Sequence, residues 1–466
     1  MKHLVRLNIL MYFTLFFIPA NAQYTKLIDF QDTISGSHPV SSLSYNSPFL
    51  YGMTKDGGTY GSGTIFKIKL DGTGYVKVLD INDTNGTNPA SSLVYDGTFL
   101  YGLTNSGNSG SVGEIFKVKP DGSGYAKLYD FKGANGNSPF GNLLYDGTFL
   151  YGTTTNGGSS YFGTIFKIKP DGSNFKKLFD FNDSNGGFPT GGLVTDGTFL
   201  YGTTQFGGNG DNGIIYKIKL DGTGFSILFD LGTNGDGRNP AGSIFYDGSF
   251  LYGMTSYGKT INYGEIFKIK TDGSGYSKLL NFNDTNGSDP QGSLIYDGSF
   301  LYGTTYIGGT YNLGVLFKIK PDGTGYKKLL DFSGTSNGSN PVGSLLSDGT
   351  TLYGITSHGG INNLGTVFKY DLSKTGILEN NINNDKTENN FCVYPNPNNG
   401  SFNIDFLNLF GEKQIEIYTI NGEFLSRFST SNDLFKIDLY PLFPKGIYLL
   451  KIKTDSEIFH SKVVVE

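Results

Sequence analysis

The sequence predicts an all-β fold: a seven-bladed β-propeller closed by an N-terminal strand, followed by a small C-terminal β-sandwich. Three observations predict it. The tripeptide Leu-Tyr-Gly recurs seven times, with its tyrosine at Tyr51, Tyr101, Tyr151, Tyr201, Tyr252, Tyr302 and Tyr353, in steps of 50, 50, 50, 51, 50 and 51 residues. A period of this length marks propeller blades or solenoid units. Each copy holds four short runs of alternating Tyr, Phe, Val, Ile and Leu bounded by Gly, Asn and Asp, which is strand chemistry, and none long enough for a helix. A further strand-like run, Thr25–Phe30, stands ahead of the first copy.

Composition narrows the function classes. Of 466 residues 69 are Gly and only 16 Pro, so neither a collagen nor a proline-rich linker fits. With 31 Tyr and 38 Phe the chain has ample material for a core and is not a disordered one. Thirty-six basic against 41 acidic residues, net −5, leave no footprint for nucleic acid. The single cysteine, Cys392, excludes an internal disulfide and a thiolate zinc cluster.

The elements follow in order. Residues 1–22 read as an export signal peptide: Lys2, His3 and Arg6 form a basic start, Ile9 to Ile18 an apolar run, and Ala20-Asn21-Ala22 a small-x-small cleavage pattern. The run is too short to span a bilayer, which takes about 20 residues. No later stretch reaches 18 apolar residues, so a mature chain from Gln23 is expected to carry no transmembrane segment.

Residues 23–372 form the repeat array. In the second copy the strands are expected at Ser91–Tyr95 (a), Phe99–Thr104 (b), Glu114–Lys119 (c) and Tyr125–Phe131 (d). Asp96-Gly97 joins a to b and Asp121-Gly122 joins c to d, pairs that tolerate the positive φ of tight hairpins. Strand d occurs before any a, b or c, and the last copy has no d after its strand c, Thr366–Asp371. The N-terminal strand therefore completes the seventh blade and pairs the edges that an open array would expose. A solenoid would instead carry polar caps at both ends. Small pairs such as Ser41-Ser42, Ser91-Ser92 and Gly242-Ser243 lead strand a, which places it innermost. A lysine column on strand c, Lys67 to Lys369, reads as a solvated outer rim.

The repeated Leu-Tyr-Gly-x-Thr, Gly-x-x-Phe-Lys and Asp-Gly-[Thr/Ser]-Gly segments over residues 24–372 resemble the GloVer-type tandem repeat of bacterial exported proteins. The resemblance implies a repeat array on an exported protein and no established activity. Residues 373–390 are Asn-rich and aperiodic, a linker. Residues 391–466 return to strand patterns and read as a β-sandwich. Its motifs are Tyr394-Pro395-Asn396-Pro397 with Gly400, a hairpin from Tyr418 to Gly422, Lys445-Gly446-Ile447-Tyr448, and a final Lys462-Val463-Val464-Val465. In this order they are similar to the type A C-terminal sorting domain of the type IX secretion system, although the chain ends at Glu466 where many members carry a basic residue. That resemblance implies a Bacteroidetes-type bacterium, the type IX outer-membrane translocon as partner, and an extracellular or outer-membrane surface location.

Function concentrates on variable loops of a rigid scaffold, and the b–c loops vary most. Their aromatic residues include Tyr60, Tyr161, Phe206, Tyr257 and Tyr306, and the last loop adds His358. Tyrosine offers a flat apolar face and a hydroxyl, suited to a glycan or a protein surface and equally to packing among glycine-rich loops. No catalytic residues are nominated: repeated carboxylates do blade work, and the unrepeated Glu114 and Glu265 fall in distant blades. His358 has no partner placed by sequence. No cofactor is expected; Asp83, Asp183 and Asp284, in Asn-Asp-[Thr/Ser]-Asn-Gly loops, are weak calcium candidates that turn capping explains equally well. The expected function is a binding or interaction module; the alternatives are a propeller enzyme acting on polysaccharide and a structural coat protein.

Overall fold

A computed structural model describes residues 23–107, 112–232, 236–258, 263–373, 392–394, 401–406, 411–419, 424–438, 446–454 and 458–465. The export leader, the linker from residue 374 on, and Pro395, Asn396, Pro397, Gly400 and Gly422 lie outside the described residues. The chain divides into two compact units, Met1–Gly376 and Ile377–Glu466.

Among its described residues the first unit holds seven antiparallel sheets of four or five strands, an all-β, propeller-like arrangement. In each the order is a-b-c-d, so every strand pairs with its neighbour in sequence. The exception is the seventh sheet. There Thr351–His358 and Thr366–Asp371 follow Ser339–Ser347, and the fourth strand is Tyr24–Asp29. Tyr24 lies opposite Tyr370 and Asp29 opposite Thr366, with a register shift between Lys26 and Ile28. The second sheet has the same shift between strands c and d, at Ile115/Phe116. Phe30, which follows the N-terminal strand, is fully buried, as are Phe131, Phe181 and Phe332 after their own d strands.

The cores lie between consecutive sheets. Tyr101, Leu103 and Ile115 of the second sheet pack with Leu143, Phe166 and Ile168 of the third. The first and seventh sheets share a core of the same kind, with Leu43, Leu50, Phe66 and Ile68 against Tyr353, Ile355 and Val367. At the inner edge, backbone N–H groups donate to the next sheet's side chains: Ser42 to Ser92 Oγ, Ser92 to Asn142 Oδ1, Gly192 to Ser243 Oγ and Ser293 to Ser344 Oγ. Ser344 then donates to Ser42 Oγ at 2.7 Å, 302 residues away.

Strand a departs from expectation. In the second sheet it is two short pieces, Thr87–Pro89 and Val94–Tyr95, with Ser91 and Ser92 between them. The cause is the inner edge itself: Ser91 Oγ accepts the Leu103 N–H of strand b, and Ser92 N turns to the next sheet, so side chains replace the ladder.

In the second unit, Cys392–Tyr394, Ser401–Asp405 and Leu434–Asp438 form one sheet; Lys413–Thr419, Phe424–Thr430, Gly446–Lys453 and Ile458–Val465 form another. Phe402, Ile404 and Ile437 of the first and Ile415, Ile417, Tyr448, Leu450 and Ile452 of the second share one core. Among the described residues no helix is long and apolar enough to cross a membrane.

Candidate functional site

Antiparallel order puts the a–b and c–d turns at one end of each sheet and the b–c and d–a loops at the other. The first end is repetitive. Asp96 Oδ1 accepts the N–H groups of Thr98 and Phe99, and its Oδ2 accepts the Tyr101 hydroxyl at 2.7 Å. Burial works against the ionised form, but these donors outweigh it and hold the Asp96 carboxyl below its usual range. The same bond joins Tyr151 to Asp146, Tyr201 to Asp196 and Tyr353 to Asp348. The first copy departs from the expected uniformity, with Asn46-Ser47-Pro48 at its a–b turn and a cis Ser47-Pro48 bond.

The lysine column is not the solvated rim expected. Lys67 Nζ donates to Pro120 O at 2.9 Å, Lys117 to Pro170 O and Lys167 to Leu220 O, each in the next sheet's c–d turn. Each ammonium also sits over a strand b ring, Phe49, Phe99 and Phe149. The flexible stem lets the charge reach a carbonyl across the gap.

At the other end hydrogen bonds hold several of the described b–c loops. Gly157 and Gly158 both take φ of 80°, a conformation that glycine adopts without penalty. The carboxylate ending strand d then receives the loop backbone: Thr59 N donates to Asp80 Oδ1, Ser159 N to Asp180 Oδ1 and Thr310 N to Asp331 Oδ1. In the seventh sheet Ile361 N donates to Asp29 Oδ1, so the N-terminal strand supplies the equivalent carboxylate. Asp211, unrepeated as a carboxylate, sits at φ 52° and accepts the Gly207 N–H, the bond that Asn312 and Asn363 also make. Its role there is loop geometry.

A cavity of about 460 Å³ lies at the inner edge, lined by residues of all seven sheets. Its walls mix small polar residues, among them Ser42, Ser92, Asn142 and Ser243, and the amides Gln205 and Gln291 with apolar Val40, Phe140 and Val342 and the charged Lys55 and Asp289. Of the six nominated residues, Tyr257 alone lines it, 41% exposed, with the Arg238 guanidinium 5.7 Å over its ring. Tyr60 and Tyr161, 62% and 71% exposed, stand on the loops of the first and third sheets away from the cavity lining. Phe206 packs edge-on against Phe188 at 5.8 Å. Tyr306 is half-buried, and its backbone binds Asp289 O and Asn340 Nδ2. The six therefore do not converge on one point. Sequence reading missed Phe140, which is 38% exposed and lines the cavity. Its signal was available: the other copies carry Val40, Ala90, Thr190, Ala241, Gln291 and Val342 there.

It also missed the partners of His358. His358 and His38 meet where the seventh and first sheets adjoin, ring centroids 5.0 Å apart and planes at 53°. His38 Nδ1 lies 3.2 Å from Asp56 Oδ2, and His358 Nδ1 lies 2.9 Å from Ser357 Oγ. Burial and the neighbouring His38 push the His358 imidazole below its ordinary value. Glu114 and Glu265 are buried at 0% and 1% exposure, out of a substrate's reach. Lys127 lies 3.7 Å from Glu114, and Glu265 accepts the Tyr276 hydroxyl at 2.7 Å. The calcium candidates Asp83, Asp183 and Asp284 are exposed, while neighbouring Asn oxygens cap the turn: Asn85 Oδ1 accepts Asn82 N, and Asn82 Oδ1 accepts Thr84 N. Among the described residues no group of three or more His, Cys, Asp or Glu is arranged to hold a metal ion.

No curated protein matches the chain. Among solved structures a fungal alcohol oxidase of the AA5 family is similar over 95% of this chain and 98% of its own, at 12% identity and a TM-score of 0.49. A prolyl endopeptidase is similar over 90% of this chain at 11% identity and a TM-score of 0.46. The tricorn protease is similar over 91% at 12% identity and 0.39. This chain spans 55% of the endopeptidase chain and 43% of the tricorn chain. Similarity of this degree carries no inference about chemistry. The Gloeobacter/Verrucomicrobia repeat matches residues 12–204, 95–267 and 195–391, and the secretion system C-terminal sorting domain matches residues 392–466. The chain belongs to the Gloeobacter/Verrucomicrobia repeat family and ends in a type IX C-terminal sorting domain, which marks it for export to the cell surface or the extracellular space.

Proposed function

We propose that the protein is a seven-bladed β-propeller, closed by its N-terminal strand and freed of its export leader by cleavage after Ala22, that works outside the cell as a binding module. Its ligand, a glycan or a protein, docks on the face that carries the b–c loops. One observation carries this reading: unrepeated side chains collect at that end, around the cavity mouth, while the opposite end repeats the same Asp, Tyr and Lys bonds. Tyr257 and Phe140 offer stacking faces at the cavity, and its Ser, Asn and Gln walls offer hydrogen bonds beside the charged Lys55 and Asp289. The exposed Tyr60 and Tyr161 extend the surface outward.

A glycan array probed with the secreted chain tests the reading, followed by titration of any hit. Tyr60→Ala, Tyr161→Ala and Tyr257→Ala are each expected to weaken it by about 1–3 kcal/mol if their rings stack on ligand. Unchanged affinity in all three removes the aromatic surface from the proposal. The second reading is an enzyme acting on polysaccharide. The pairing of His38 with Asp56 beside His358 favours it, since a carboxylate-held imidazole is a general base in form. New reducing ends released from a polysaccharide by the wild-type chain and not by His38→Asn would establish that reading over the first.

A further inference from the structure

Four histidines occur in the whole sequence, and two of them, distant along the chain, face each other across the junction of the first and seventh sheets. Neither belongs to the repeat. Where the first copy has His38, others have Asn88, Ser138, Phe188, Asn239, Asp289 and Asn340; where the last has His358, others have Asp56, Ser106, Asn156, Phe206, Tyr257 and Ile307.

We infer that His38 and His358 form a two-imidazole site for a borderline divalent metal of the zinc class, clasping the two ends of the repeat array together. The ring separation fits. Two imidazoles on one tetrahedral zinc, each about 2.0–2.1 Å from it, have ring centres about 5 Å apart, and these lie at 5.0 Å. The hydrogen bonds fit as well. The Asp56 carboxylate only accepts, so His38 Nδ1 carries the proton and donates to it. The Ser357 hydroxyl donates to Asn340 O, so its oxygen accepts from His358 Nδ1. Both rings are thereby left with Nε2 as the basic atom, in the way that a carboxylate or a hydroxyl orients a metal-bound imidazole. Imidazole selects zinc, copper and nickel over magnesium and calcium. The protein supplies two ligands and water the others, so the site binds more weakly than a four-ligand structural zinc.

The clasp adds a second tie at the place where the two ends of the array meet. The d–a loop that crosses this junction, residues 30–36, starts from Tyr24–Asp29, a strand that pairs with Thr366–Asp371 of the seventh sheet with no covalent turn between them. A metal bound to the native state alone stabilises it by mass action.

Thermal unfolding of the full secreted chain, stripped with EDTA and dialysed, tests this. Zinc chloride at 100 µM is expected to raise the repeat unit's Tm by about 2–5 °C, and magnesium or calcium chloride to leave it unchanged. His38→Asn and His358→Asn place at each position the residue that Asn88 and Asn156 occupy in other copies, so both variants are expected to fold with near wild-type Tm and to lose the zinc-dependent rise. No rise in the wild type, an equal rise with calcium, or a rise retained in both variants overturns the proposal.

Discussion

A methyl group added at Gly102 would sit 2.5 Å from Phe116 Cζ, and each Leu-Tyr-Gly glycine meets the aromatic ring of its own strand c in this way. The glycine is required by packing and not by backbone conformation. Gly102→Ala is therefore expected to destabilise the repeat unit by about 1–3 kcal/mol through overpacking, read as a lowered denaturation midpoint at unchanged slope. Glu265 supplies a test in pH. Burial holds its carboxyl above the ordinary value, with the Gly237 N–H, the Tyr276 hydroxyl and Lys278 partly offsetting that effect. A raised folded value means that the folded state prefers the protonated form. The associated stability is present below the unfolded value and is lost as pH rises through the folded one. Glu265→Gln keeps an acceptor for Tyr276 and removes the charge. Its Tm relative to wild type is expected to be more favourable at pH 8 than at pH 4; the reverse order would show that the ion pair with Lys278 outweighs burial.

The N-terminal strand behaves as any other strand d. It has the same register shift, the same Lys-to-Asp pair three residues apart (Lys26–Asp29 beside Lys77–Asp80), and the same carboxylate bond to a b–c loop. Phe30 packs on Phe66 of the first sheet at 5.3 Å and 70°, as Phe131 packs on Phe166 at 5.1 Å and 63°. Phe30→Ala and Phe131→Ala are accordingly expected to cost about the same, some 3–5 kcal/mol each, measured by chemical denaturation. A near-neutral Phe30→Ala would mean that the strand is a dispensable edge.

For the whole repeat unit, the proposed closure predicts tolerance of rearrangement. If the seventh sheet needs the Tyr24–Asp29 strand in space and not in sequence, moving residues 23–31 to follow residue 373 through a short Gly-Ser linker keeps every strand pairing. The permuted chain is expected to unfold in a single transition within a few degrees of the parent. A large loss of Tm would contradict closure through that strand.

The sequence alone determined the period, the four strands of each copy, the Asp-Gly turns and the one-strand offset. All are local signals: alternation along a strand, φ-tolerant residues at a turn, and counting. It also carried the sorting domain, whose motifs are read in order along a short segment. The tertiary structure decided what lies between copies. Strand a breaks at Ser91 and Ser92 because those residues bond to the neighbouring sheet, and the strand c lysines reach the next turn's carbonyls; neither follows from a repeat read in isolation. Phe140, Tyr257 and the His38–His358 pair become neighbours of the cavity or of each other only where sheets far apart in sequence adjoin, since a contact between distant residues depends on the path of the whole backbone and leaves no period in the sequence.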